Sequence, residues 1–458
     1  MGPWDVSGSD TIAAIVTPLG KGGVGIIRIS GPNSLDVAKR FFVSLHPEFK
    51  GFKPRFLHHG QFRVDQKVID EVLLVYMPAP RSYTGEDVVE INCHGGPAIL
   101  HLILEVILQA GVRLANPGEF TYRAFLNNKM DLTQAEAVAE LINAPGQEAV
   151  PLIQQKLEGG LRRKVSGLKA RLEGLRQEFC VAVDFPEEEI ECLPPKKIAQ
   201  EVSLACAEIK DLLFNYEQKH LYTEGALVVL AGQVNAGKSS LLNALLGKNR
   251  AIVTPIPGTT RDYLEEFIQL QGLPVKLVDT AGLRQTTDQV ESLGLERTLD
   301  LIKKSDLCLL VVDSGREFSS YEQEVLARVS AKQVLLVLNK CDLYPELPGW
   351  VQNLDCAWVQ ISALTGQGLK ELQQKIVKIL SGDQPEPELS LVPNLRQKKA
   401  LERALAELES LMQNLGVLPY DLLAINLDLA CEVLKEITGE ITSEEILNQI
   451  FSRFCIGK

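Results

Sequence analysis

The chain has 458 residues, 45% apolar and 6% aromatic, a length that sets a prior of about three domains and a composition that excludes disorder. Its 59 acidic against 47 basic residues give a net charge of -12, so the whole chain repels nucleic acid and any contact with it needs a local basic patch or a partner. Nine scattered cysteines without a C-x-x-C pair exclude a disulfide frame and a cysteine zinc site, no apolar run nears the roughly 18 residues of a membrane span, and the first ten residues do not read as a signal peptide. The expected location is the cytoplasm.

From Asp10 to Gly118 short apolar runs (Thr11 to Val16, Ile26 to Ile29, Val72 to Tyr76, Val88 to Ile91) alternate with Gly/Pro turns, with one helix expected near Ala98 to Ala110. This is the pattern of an α+β domain, set at 1–119. The Gly20 to Gly25 stretch is followed by a strand-like run rather than a helix, so it is not read as a dinucleotide site. From Phe120 the period becomes helical: Leu161, Val165, Leu168, Leu172, Leu175 and Phe179 recur at steps of four and three. Thr133 to Glu136 reads as a capping box that starts a helix.

Helical spacing returns after Pro393 (Leu401, Leu405, Leu408, Leu411, Leu415), and Thr442 to Glu445 reads as a second capping box. Two helical segments, 120–221 and 383–458, therefore flank an α/β segment, 222–382. The economical arrangement is one discontinuous all-α domain into which a P-loop domain is inserted, with Pro385 to Glu388 as its exit linker.

The inserted segment carries the parts of a guanine-nucleotide site in order. Residues 232–239 read Gly-Gln-Val-Asn-Ala-Gly-Lys-Ser between an apolar strand (Ala226 to Ala231) and a helix. Such a loop turns its backbone N–H groups, here those of Asn235, Ala236, Gly237 and onward to Ser240, toward phosphates at a helix N-terminus. Lys238 then reaches the β and γ phosphates and Ser239 ligates Mg²⁺. Gly258 to Asp262 supplies a threonine for the same ion. Asp279, Thr280, Ala281 and Gly282 follow a strand, placing a carboxylate at the Mg²⁺ shell and an N–H near the γ-phosphate. Asn339, Lys340 and Asp342 follow another strand; one carboxylate accepts both the N1 and N2 protons of guanine, and Ser362 and Ala363 would pack the base's other edge.

Leu283 stands where Ras-like enzymes place a water-orienting glutamine, so another residue must align the nucleophile. Glu291 for water and Arg284 for charge are the candidates, and either is equally a solvated loop residue. Asn235 offers a carbonyl oxygen that could help hold a monovalent cation in place of an arginine finger.

Besides these motifs, the chain resembles the MnmE (TrmE) family of tRNA-modifying GTPases through Asp10 to Ala14, Gly22 to Arg28, Tyr83 to Glu90, Pro117 to Thr121, Arg123 to Asn127, Asp184 to Glu189 and the terminal Cys455-Ile456-Gly457-Lys458. The resemblance covers essentially the full length. It departs at Val234, where proline is common, and at Gln285, Tyr122 and Asn92-Cys93, none of which has an assigned role.

The resemblance implies a folate-binding and dimerising N-terminal domain, a homodimer, and a hetero-oligomer with an FAD-dependent partner of the MnmG (GidA) type. Together they would add an aminomethyl-type group, carboxymethylaminomethyl or aminomethyl, at C5 of the wobble uridine of certain tRNAs. The one-carbon donor would be a tetrahydrofolate in its 5-formyl or 5,10-methylene form. It further implies K⁺ held by Asn235, Thr254, Ile256 and Thr259, Mg²⁺ held by Ser239 and Thr260, a hydrolytic water set by Glu291, folate contacts from Arg28, Glu90, Lys129 and Lys458, and a role for Cys455 in the modification chemistry. Basic clusters at Arg162 to Lys164 and Arg396 to Lys399 are either RNA contacts or solvated helix faces. The competing readings are a GTPase switch in ribosome assembly without modification activity, and a folate enzyme for which GTP is only regulatory.

Overall fold

The computed structural model describes residues 10–184, 194–249, 265–279, 299–330, 333–382, 390–452, 454, 456 and 457. They form two compact units. One takes the residues up to Ala139, Lys156–Val202 and those from Arg403 onward; the other takes Glu140–Gln155 and Ser203–Glu402.

In the first unit the four expected short strands pair with three others as one sheet. Its members are β1 (Ile12–Ile15), β2 (Val24–Ser30), β3 (Phe42–Ser44), β4 (Leu57–Val64), β5 (Lys67–Met77), β6 (Val88–His94) and β7 (Arg113–Leu114), in the order β3-β4-β5-β6-β2-β1-β7. Only the β1–β7 pair is parallel. Because side chains alternate across a strand, Ile27, Ile29, Val89 and Ile91 fall on one face and are buried there against α1 (Ser34–Phe41) and α2 (Pro97–Gln109). The other face carries Val24, Arg28, Glu90, Asn92 and His94, and Arg28 stands directly opposite Glu90 in the β2–β6 register.

The helical segment begins with α3 (Glu119–Leu126) and α4 (Leu132–Ile142), followed by α5 (Ala149–Leu157), α6 (Gly160–Asp184) and α7 (Pro195–Glu224). The start of α4 differs from the expected Thr133 box. Asp131 accepts from the Gln134 N–H at 2.8 Å while Gln134 Oε1 accepts from the Asp131 N–H at 3.1 Å, so the reciprocal cap sits two residues earlier. Thr133 and Glu136 are buried inside the helix instead. The six apolar residues read along α6 are all buried, and α6 packs on the helix Tyr420–Thr438, far away in sequence. Ion pairs edge that seam, Arg176 to Asp428 at 2.9 Å and Lys435 to Glu173 at 3.4 Å, but partly exposed pairs are worth at most about 1 kcal/mol each, so the apolar seam holds the two segments together.

The second unit contains a doubly wound sheet of β8 (Ala226–Ala231), β9 (Glu265–Leu270), β10 (Leu273–Asp279), β11 (Leu307–Asp313), β12 (Val334–Asn339) and β13 (Ala357–Gln360), in the order β13-β12-β11-β8-β10-β9. All pairs but β9–β10 are parallel, and β8, β11 and β12 are almost wholly buried, as a sheet covered on both faces requires. The helices of this unit include α8 (Lys238–Asn249), α9 (Ser320–Arg328) and α10 (Leu369–Ser381). The chain closes with α11 (Leu395–Asn414), α12 (Tyr420–Thr438) and α13 (Glu444–Phe451). The cap of α13 is Ser443, whose hydroxyl accepts from the Ile446 N–H at 3.4 Å, one residue past the expected Thr442. Among the described residues no helix is long and apolar enough to cross a membrane.

Candidate functional site

β8 lies between β10 and β11, so the strand order reverses there, and a crevice opens beyond the carboxyl ends of the strands at such a point. The loop after β8 turns on Gly232 (φ 144°) and Gly237 (φ 95°). A Cβ on the first would fall onto the Val311 carbonyl and on the second onto the Asn339 amide, so close backbone approach as well as dihedral freedom demands glycine. Asn235 holds a left-handed φ of 66° between them, a conformation asparagine tolerates better than most residues.

The sequence-predicted residues meet at this edge. Lys238 is buried and its Nζ donates to the carbonyls of Gly232 and Gln233, both at 2.8 Å. The Ser239 hydroxyl donates to Asp279 Oδ2 at 3.0 Å, a hydroxyl and carboxylate pair that fits the oxygen preference of Mg²⁺. Ser240 is exposed in the first turn of α8.

At the end of β12, Asn339 is buried and acts as a staple. Its Nδ2 donates to the Ala236 carbonyl at 2.9 Å, and its Oδ1 accepts from the N–H groups of Lys340 at 2.9 Å and Ala363 at 3.0 Å. One side chain thus ties the phosphate loop to the segments that follow β12 and β13. Lys340 (φ 68°) pairs with Asp313 at 2.6 Å; burial opposes the Asp313 charge, but the lysine prevails and holds its carboxyl below the usual range. Asp342 is exposed, and Ser362 is buried, its Oγ accepting from the Thr365 N–H at 3.1 Å.

Thr254, Ile256, Thr259, Thr260, Thr280, Ala281, Gly282, Arg284, Glu291, Cys455 and Lys458 lie outside the described residues.

A second cluster occupies the polar face of the first unit's sheet. Arg28 Nε and Nη2 both donate to Glu90 Oε1 at 2.8 Å, and the guanidinium lies over the rings of Tyr83 at 5.2 Å and Phe120 at 5.5 Å. Arg28 Nη1 also reaches the carbonyl of Gly457 at 3.4 Å. Gly457 (φ 98°) sits so tightly on β1 that a Cβ would come within 2.7 Å of the Ile15 carbonyl. Gly457 of the terminal Cys455-Ile456-Gly457-Lys458 is thereby brought to Arg28. Lys129 donates to the Pro80 carbonyl at 3.0 Å, on the loop that carries Tyr83. Aromatic faces beside a partly buried charge pair suit a flat ligand with a guanidine-like edge and carboxylates.

Beneath that loop is a network absent from the sequence-based expectations. Arg123, 1% exposed, donates to Asp10 at 2.7 Å, to Glu119 at 3.0 Å and to Glu86 at 3.2 Å. Glu86 accepts from Ser30 at 2.7 Å, and Arg113 pairs with both Asp10 and Glu119. Arg123→Met would strand several partly or fully buried carboxylates and is expected to lower unfolding stability by about 3–5 kcal/mol, read by urea titration.

Acid should act on the same network. Burial pushes the Asp10 and Glu119 carboxyls up, but hydrogen bonds and charge from Arg113 and Arg123 outweigh it and both end below their ordinary values. Folded-state values below the unfolded ones mean that their stabilisation is complete at neutral pH and is lost as the pH falls from about 4 through the folded values. Urea midpoints of the wild type should drop there more steeply than those of Arg123→Met; parallel curves would refute this.

Known proteins match along almost the whole sequence. The family model for the N-terminus of the GTP-binding protein TrmE matches residues 11–129, and that for the MnmE helical domain matches residues 132–455. The tRNA modification GTPase MnmE of Nitratidesulfovibrio vulgaris (strain Hildenborough) is 49% identical over 455 residues, covering 98% of this chain and 99% of that one. The tRNA modification GTPase MnmE of Carboxydothermus hydrogenoformans is 44% identical over 461 residues, covering 98% and 99%. Among solved structures, the G domain of the T. maritima FeoB iron transporter is 30% identical, covering 34% of this chain and 98% of that one with a TM-score of 0.27, a value that supports no inference. Identity of this extent, reaching across both units, makes the chain a member of the MnmE family of tRNA modification GTPases.

Proposed function

We propose that this GTPase uses its cycle to drive modification of the wobble uridine of certain tRNAs at C5, working in the cytoplasm. The carrying observation is the convergence of Lys238, Ser239, Asp279, Asn339 and Lys340 at the carboxyl ends of β8, β10 and β12. In this reading the loop amides and Lys238 cradle the phosphates, Ser239 and Thr260 hold Mg²⁺, and Asp342 reads guanine. Bound cations offset charge on the phosphoryl oxygens. Asn235, Thr254, Ile256 and Thr259 hold K⁺; Glu291 orients the water, since Leu283 cannot, and Arg284 stabilises charge.

Arg28, Glu90, Lys129 and Lys458 bind a one-carbon tetrahydrofolate, and Cys455 takes part in the modification chemistry. The approach of Gly457 to Arg28 supports this, because a switch acting only in ribosome assembly has no use for that cluster. An FAD-dependent MnmG-type partner supplies the redox step and much of the grip on tRNA. Within the basic clusters, Arg162 lies 3.5 Å from Asp131 and Lys398 pairs with Glu402 at 3.1 Å, so these two charges are compensated within the chain. A homodimer through the N-terminal sheet is supported by apolar residues on its polar face: Val24, Leu57 and Leu73 are 62, 53 and 41% exposed.

The cation part is tested by exchanging K⁺ for Na⁺ at constant ionic strength. GTP turnover should fall by an order of magnitude or more, roughly the loss of one well-placed charge at the transition state, and Asn235→Ala should remove the difference. Equal wild-type rates in the two salts would contradict it.

A further inference from the structure

Gln233, the second residue of the phosphate loop, is tied to a helix through its side chain. Its Nε2 lies 2.6 Å from the hydroxyl of Ser319, the residue that caps α9. Glu322, 3% exposed, accepts from the Ser319 N–H at 2.9 Å and also contacts the Ser319 hydroxyl. The direction of this chain of bonds follows from chemistry. An ionised carboxylate only accepts, so the Ser319 O–H donates to Glu322, and the serine oxygen is left to accept from the Gln233 amide. A buried carboxylate thereby polarises a bond that ends on the phosphate loop.

The main chain of Gln233 is engaged at the same time. Its carbonyl accepts from Lys238 Nζ at 2.8 Å and from the Ala236 N–H at 3.3 Å. The next residue, Val234, is 58% exposed, and Asn235 beyond it sits in the left-handed region. Gln233 thus anchors the near side of the exposed crest of the loop, as Asn339 anchors its far side at Ala236.

We infer that Gln233 is a positioning residue, held by the Ser319–Glu322 relay, that keeps the phosphate loop in its nucleotide-accepting shape. The inference rests on the guanine-nucleotide reading of this loop. Without the tie the crest of the loop samples other arrangements, and apparent affinity falls by the fraction of time the competent one is lost.

The test uses the full chain with Gln233→Leu, Ser319→Ala and both together. Release of a fluorescent GDP analogue is followed by stopped flow, with GTP hydrolysis kinetics and the apo unfolding midpoint alongside. Gln233→Leu and Ser319→Ala should each speed release, and raise KM, by up to about tenfold, the worth of one neutral hydrogen bond. The double variant should go no further than either single one, and kcat should stay within about twofold because uniform binding is what is lost. Unchanged release in Gln233→Leu, or single effects that multiply in the double variant, would overturn the inference. Should Ser319→Ala fail to fold, Gln233→Leu decides alone, with an unfolding midpoint equal to wild type required for a positioning role. A wild-type chain without measurable GDP affinity would overturn the nucleotide reading itself, an outcome told apart because it precedes any variant.

Discussion

Asp342→Asn is expected to weaken GTP binding by about 10²–10⁴-fold while leaving folding untouched. Two hydrogen bonds from guanine N1 and N2 to one carboxylate are each worth about 1.5–3 kcal/mol, which converts to that range. The isosteric amide turns a donor toward a donor. Asp342 is exposed, whereas the turn around it is held by Asn339, Lys340 and Asp313, so the substitution removes recognition and spares the scaffold. The same geometry makes a positive prediction: xanthine carries a carbonyl at C2, which the new amide can donate to, so binding of its triphosphate should rise. Isothermal titration with GTP and the xanthine nucleotide checks both; undiminished GTP affinity would remove Asp342 from the base site.

Arg28→Met is expected to reduce the affinity for 5-formyltetrahydrofolate by about a hundredfold. The side chain provides a guanidinium that lies over the rings of Tyr83 and Phe120, and its loss also leaves the Glu90 carboxylate without its 2.8 Å partner on a partly buried face. Removing one member of a desolvated, hydrogen-bonded charge pair at a binding surface costs about 2–5 kcal/mol, of which the lower half corresponds to the stated factor. Nucleotide affinity should be unaffected, which separates a local loss from misfolding. Equilibrium dialysis with the folate is the check, and unaltered binding would place the folate elsewhere.

The phosphate loop and the Asn339 to Asp342 turn were legible in the sequence because each is a contiguous segment whose chemistry is set by its own residues and flanking strands. The helical face of Leu161 to Phe179 was legible for a similar reason: a single period declares which side is buried. Helix starts were less so. Asp131 and Ser443 displaced Thr133 and Thr442 as caps, since any of these side chains can accept an N–H and only the local backbone selects among them. Strand β4 escaped notice because His58, His59 and Gly60 interrupt its alternation; Gly60 is required there, as a Cβ would strike the ring of Phe42. The Arg123 network, the Arg28 contact with Gly457 and the Gln233 tie to Ser319 join residues far apart along the chain, and no local pattern announces them.

The nucleotide site of this chain serves tRNA modification. Mass spectrometry of nucleosides from bulk tRNA is the direct test, in cells lacking the chain and in cells complemented with it or with its Lys238→Ala form. A C5-substituted uridine should vanish on deletion and return only with the intact chain. Nucleosides identical in all three would contradict the account and leave a GTPase with some other task.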